Sequence, residues 1–457
     1  MTVHLSHWTH QPPGASAGRI AARALRSAAR AGRAALRCTL KGAGWSAFFL
    51  ILLAALVLPE GDRRNLTPAG EAALGHRYAL ISWEFANFPA KWLHRIYTAM
   101  PWSNTSLEQR RADLDGYQEL VKSLREVRSE LELAPSRGAQ PDETAGLQAA
   151  LDGLLAELDR LRPSVEEYLE SVISSVVEDH GLDAGWLVWP PVDFRLDDPP
   201  LVLAISPRDR IERQETVLIT PGIPVEAMER IEGSLLAGRG LSAIVEATGG
   251  LATYPTVVGY DRDLLQLLEV AAHEWLHSYL FFHPLGQKYE ASQDMTTLNE
   301  TLADMAGREL GGMAYSKITG KPAPPLEPPR DPSTAPPLKP GEFDFFPFMR
   351  ETRLHTEELL KAGDIPGAER YMEERRVELN SHGYRVRKIN QAYFAFHGSY
   401  GENPSSVSPI ARELYELRSL SSGAGEFVKL MRGVSSYEEF REVLAKQRKV
   451  AGATAVR

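Results

Sequence analysis

The chain has 457 residues, 43% hydrophobic and 24% charged, a balance that buries a core and argues against a disordered protein. Its formal net charge is −9, yet residues 1–41 hold seven Arg and Lys and no acidic residue, so the rest is more acidic still and no nucleic acid is expected as a partner. The single cysteine, Cys38, excludes intrachain disulfides and cysteine metal sites, so any metal must rest on His, Asp and Glu.

In chain order, residues 1–43 form a basic tail, and residues 44–59 contain the uncharged run WSAFFLILLAALVL. That run is predicted to be a transmembrane helix in contact with membrane lipid. The basic excess ahead of it predicts a single-pass protein of the cell membrane, N-terminus cytoplasmic and catalytic domain extracytoplasmic. Residues 60–184 carry helical periodicity. Two long stretches, LEQRRADLDGYQELVKSLREVRSELEL and ETAGLQAALDGLLAELDRLRPSVEEYLESVISSVVEDHG, are expected to pair as an antiparallel hairpin or stalk, with Pro163 kinking the second arm.

From 185 the texture changes. PPLVLAISP, ETVLITPG, LSAIVEA and GLATYPTVVGY are predicted strands, and PVEAMERIEGSLLAG a helix, within an α/β catalytic domain spanning 185–319. Pro255 marks Gly249–Val258 as an edge strand, to which an extended peptide could add by main-chain hydrogen bonds. Residues 320–342 are a proline-rich linker, and 343–457 a helical subdomain completing the active site. The fold class expected is α+β, mostly helical, with a small mixed sheet.

The chemistry lies in RDLLQLLEVAAHEWLHSYLFF, apolar on most sides and therefore a buried helix. Four residues apart on a helix, His273 and His277 stand only about 40° from each other and can face one metal ion. Glu274, adjacent on that side, can reach a water on the ion. His283 would lie about 120° round from His277, and the helix stops only at Pro284 and Gly286, too late to bring it back. The better third ligand is in TTLNETLADMAG, where Glu300 and Asp304 share a face of a second helix that Thr296 or Thr297 can cap.

HExxH, followed 23 residues after His277 by the Glu of NExxAD, resembles the gluzincin zinc metallopeptidases, the thermolysin-like class. The resemblance implies a zincin-like catalytic domain, Zn2+ held by His273, His277 and Glu300, and Asp304 orienting His273. It further implies peptide or protein substrates, cleaved through a zinc-activated water with Glu274 as general base. Related enzymes draw an oxyanion donor from the later helical region, for which INQAYFAFHGSYG offers Tyr393, His397 and Tyr400, with Tyr393 and His397 on one helical face. The alternatives are an amidohydrolase acting on a non-protein amide and a non-catalytic zincin scaffold that binds a partner. An intact Glu274 weighs against the scaffold, which has no use for a base.

Overall fold

The computed structural model describes residues 67–455, apart from 99–105, 135–136, 139, 186 and 330–342. Helices dominate, and two three-stranded sheets interrupt them, so the chain is α+β and mostly helical. The first four helices are α1 (Pro68–Ala72), α2 (Leu80–Thr98), α3 (Leu107–Leu133) and α4 (Pro141–Asp179). Among the described residues no helix is long and apolar enough to cross a membrane. The long ones, α3 and α4, carry charged side chains throughout, which hydrocarbon would not accept. This overturns the expectation of a single-pass membrane protein with an extracytoplasmic catalytic domain. The apolar run on which it stood, 44–59, and the basic tail lie outside the described residues.

Helices α3 and α4 pack along each other as the sequence pattern expects, and α4 runs through Pro163 as one helix. They are not a stalk standing apart. Leu169, Ile173 and Val176 of α4 share a core with the helices that carry His273, His277 and Glu300. Strand β1 (Phe194–Asp197) lies against α4, whose Glu170 and Glu166 accept the main-chain N–H groups of Phe194 and Leu196 at 2.9 and 2.7 Å. Lys91 of α2, buried with them, stands 3.0 Å from Glu166, 2.5 Å from Glu170 and 3.4 Å from Asp193. The lysine thus gives all three carboxylates a shared cationic partner, as buried charge requires.

Strands β2 (Leu201–Pro207), β3 (Glu215–Ile219) and β4 (Leu241–Ala247) form an antiparallel sheet in the order β3-β2-β4, with α5 (Val225–Arg239) leading into β4. Both faces are covered, because strand side chains alternate. Leu203, Ile205 and Val245 pack with Ile231 and Leu235 of α5. Val202, Ala204 and Ile244 point the other way, into a core built by α9 (Phe345–Lys361), α10 (Ile365–Ser381) and α11 (Gln391–His397). This is why LVLAIS reads as a continuous apolar run rather than an alternating one.

The second sheet has the order β1-β6-β5, with β5 (Gly250–Leu251) antiparallel and β6 (Thr256–Gly259) parallel to β1. Gly249–Val258 is therefore not one edge strand. The segment doubles back at Thr253–Pro255, β6 becomes the central strand, and only the two residues of β5 remain at the edge. Beyond it come α6 (Leu264–Leu280), α7 (Pro284–Gln287) and α8 (Gln293–Thr319), and after α11 the chain closes with α12 (Ile410–Ser419), α13 (Ala424–Met431) and α14 (Tyr437–Ala455).

Candidate metal centre

Helix α6 starts where Asp263 accepts the N–H of Gln266 at 2.9 Å, and ends before Pro284. Its partner α8 is capped by Ser292, which accepts from Met295 N, and not by Thr296 or Thr297. Those threonines lie a turn further in, where Thr296 Oγ donates to Tyr289 O and Thr297 Oγ to Gln293 O. The two helices touch backbone to backbone at glycine. A Cβ on Gly307 would sit 2.9 Å from the N and Cα of His273, and one on Gly311 2.5 Å from those of Glu269. Four residues apart, the glycines make a seam in α8 that α6 lies in, and the metal-centre side chains converge beside it.

Among the described residues one group of side chains has ligand atoms close enough to hold a metal ion: His273, His277 and Glu300. The two Nε2 atoms are 3.0 Å apart, and Glu300 Oε2 lies 3.8 Å from His273 Nε2 and 3.4 Å from His277 Nε2. Four ligands at about 2.0–2.2 Å from a zinc ion stand about 3.3–3.6 Å apart in a tetrahedron, so this triangle has the right size. The outer atoms of the rings agree. His277 Nδ1 is 2.7 Å from Asn299 Oδ1, whose amide is turned that way because its Nδ2 donates to Leu285 O at 3.3 Å. His273 Nδ1 is 3.4 Å from Asp304 Oδ1. Each ring thus has an acceptor for a proton on Nδ1, which leaves Nε2 as the inward atom that a metal would take. Glu300 Oε2 is buried and has no hydrogen-bond partner, while Oε1 accepts from the Tyr289 hydroxyl. Two imidazoles and one carboxylate form a donor set that suits Zn2+.

The electrostatics follow from crowding. Burial disfavours a charged His273, but the hydrogen bond to Asp304 and the fields of Glu274, Asp304 and Glu300 outweigh it and lift its pKa to about 9. Burial would also raise Glu300, yet the fields of His277 and His273 and the hydrogen bond from Tyr289 bring it down to about 2. In Glu274, burial prevails over the two histidines and raises the carboxyl.

Comparison with protein-family models, with curated proteins and with solved structures found no match. The site therefore has to be understood from its own atoms.

Glu274 is buried beside the triad without belonging to it. Strand β5 lies directly on it, for a Cβ on Gly250 would come within 2.8 Å of its Cγ and Oε1. His283 stays apart from the triad, packing its ring 4.7 Å from that of Tyr279 at the start of α7. Tyr393 and His397 pack tilted against each other, with ring centroids 4.3 Å apart, and they face β4: His397 Nε2 is 3.8 Å from Glu246 Oε2, and Glu246 is also the charge that acts on Tyr393. The structure does not bring them to the triad. Tyr400, beside the Gly401 that Thr301 holds, is the residue of that segment placed next to α8. Its hydroxyl lies in the fields of Glu300, Tyr289, Glu274 and Asp304, and Glu300 together with burial holds its pKa well above the ordinary value. Gly401 N donates to Thr301 Oγ at 3.0 Å, and Arg308 pairs with Glu402, so α8 anchors the Tyr400 loop on both sides of the glycine. Asn299, Tyr289, Gly250 and Arg213, which sits over the Tyr289 ring, were not singled out by the sequence pattern. Asn299 alone had a signal, as the first letter of NExxAD.

Proposed function

We propose that the chain is a zinc-dependent metallopeptidase of the gluzincin type, with His273, His277 and Glu300 as the residues that would hold Zn2+. The observation that carries the proposal is the triangle of ligand atoms, 3.0, 3.4 and 3.8 Å on its sides, with Glu274 buried against it. A bound zinc ion supplies a Lewis acid that acidifies water and polarises a carbonyl.

The chain's own groups divide the remaining work. Glu274 accepts a proton from the attacking water as the new C–O bond forms, and returns it to the amide nitrogen as the C–N bond breaks. The Tyr400 hydroxyl, kept protonated by its acidic surroundings, is the donor for the developing oxyanion. Asn299 and Asp304 hold the two imidazoles in register.

A peptide is the substrate favoured by the sheet edges. At one edge, β1 has its outward N–H groups taken by Glu166 and Glu170. At the other, β5 pairs, among the described residues, with β6 alone and rests on Glu274. An extended chain that added to β5 would pass its scissile bond across the base. Glu274→Gln tests the proposal. The variant should bind about one zinc per chain like the parent, and lose peptide turnover by about 10²- to 10⁴-fold. A zinc-loaded parent that cleaves nothing in a broad peptide library, or a Glu274→Gln variant as fast as the parent, would sink the peptidase assignment.

A further inference from the structure

We infer that Tyr289, itself held by Arg213, is a positioning residue that confines Glu300 to coordination through a single oxygen, Oε2. The inference rests on the metal-centre assignment above. The two carboxylate oxygens of Glu300 have unlike surroundings. Oε1 accepts the Tyr289 hydroxyl, whereas Oε2 has no hydrogen-bond partner and is the atom that faces both imidazoles.

Tyr289 is fixed from three directions. Its carbonyl accepts from Thr296 Oγ at 2.7 Å, which ties its turn to α8 one helical turn before Glu300. Its ring stands edge-on to His277, with centroids 6.2 Å apart. Arg213, from the β2–β3 connection, lays its guanidinium 5.3 Å from the ring centroid and donates to Thr296 Oγ at 3.4 Å.

The proton count then decides the direction. A phenol has one proton to give, and an ionised carboxylate can only accept. The O–H of Tyr289 therefore points at Glu300 Oε1. That oxygen is thereby held away from the metal position, and Glu300 offers one ligand atom instead of two. The consequence is functional, because a catalytic zinc site needs three protein ligand atoms and an open fourth position, and a second carboxylate oxygen would crowd it.

The experiment uses the full chain loaded with Co2+, whose visible absorption is intense in four-coordinate sites and weaker in five-coordinate ones. The parent should bind one Co2+ with a four-coordinate spectrum. Tyr289→Phe, which keeps the ring and removes only the hydroxyl, should bind Co2+ with the weaker spectrum and raise the Kd for Zn2+ about 10- to 100-fold. Arg213→Lys, with a shorter reach and no fork, should move the spectrum the same way by less. A Tyr289→Phe spectrum and Zn2+ Kd equal to the parent's would overturn the inference and leave the metal centre standing. A parent that binds no Co2+ or Zn2+ would overturn both. Arg213→Lys with the parent's spectrum and only a raised KM would make Arg213 a substrate contact instead.

Discussion

His277 Nδ1 and Asn299 Oδ1 are 2.7 Å apart, and Asn299 is the residue immediately before Glu300. Within six residues α8 thus supplies Glu300 of the triad and, through Asn299 and Asp304, an acceptor for each histidine ring. Asn299→Ala and Asp304→Asn should each weaken zinc about 10- to 100-fold while leaving the fold intact. His283→Ala, remote from the triad, should change nothing. Competition against a chelator of known affinity measures all three, and an Asn299→Ala variant that holds zinc like the parent would deny Asn299 its part.

Tyr400 and Tyr393 give a second contrast, since only Tyr400 lies in the field of the metal-centre carboxylates. Tyr400→Phe should lower kcat by about 10²- to 10³-fold, the usual cost of one oxyanion donor, with zinc content unchanged. Tyr393→Phe and His397→Gln, which face Glu246, should leave kcat within about twofold. Steady-state rates on one peptide decide between the two positions, and the reverse order of effects would return the role to the Tyr393–His397 pair.

The contrast also shows what the sequence could and could not tell. His273, His277, Glu300 and Asp304 were legible because helical spacing puts each pair on one face, and a face is a local property. Strands β2, β3 and β4 and helix α5 were legible for the same reason. Tyr393 and His397 share a face too, but which way that face turns depends on α11 packing against β2 and β4, a contact no local pattern encodes. The doubling back of Gly249–Val258 at Thr253–Pro255 is likewise tertiary, since β6 pairs with the distant β1. Arg213 and Tyr289 stand 76 residues apart and meet only because the β2–β3 connection reaches α8. The apolar run at 44–59 invited a membrane assignment on composition alone, and none of the described helices supports it.

Gly307 sets the spacing of α6 and α8, so it should not accept a methyl group. A Cβ there would lie 2.9 Å from the backbone N and Cα of His273, atoms that move only if the helices separate. Gly307→Ala should therefore cost about 1–3 kcal/mol in urea unfolding, and weaken zinc because His273 shifts relative to Glu300. Gly153→Ala, in α4 with open space around its Cβ, is the control and should gain about 0.5–1 kcal/mol. Equal effects at the two glycines would refute close packing at Gly307.

Glu232 predicts how stability responds to acid. The side chain is 1% exposed in α5, and it accepts Val245 N at 2.8 Å, two Arg387 nitrogens at 2.6 and 2.9 Å, and Lys388 Nζ. Burial alone would raise its pKa, but the hydrogen bonds from Arg387, Lys388 and Val245 prevail and hold it below the ordinary value. The unfolded chain, with a Glu pKa of about 4.3, thus takes up this proton at a higher pH than the folded one. Protonation consequently favours unfolding: the stabilisation is fully present above the unfolded value and is lost as pH falls through the folded one. Glu232→Gln keeps the shape and removes the charge. At neutral pH it should cost about 2–3 kcal/mol, at the low end for a buried pair because Arg387 and Lys388 stay partly solvated. Below about pH 4.3 the gap between parent and variant should close progressively. Urea unfolding of both proteins from pH 7 down to pH 3 measures it, and a gap that stays constant across that range would show that Glu232 contributes through shape and not through charge.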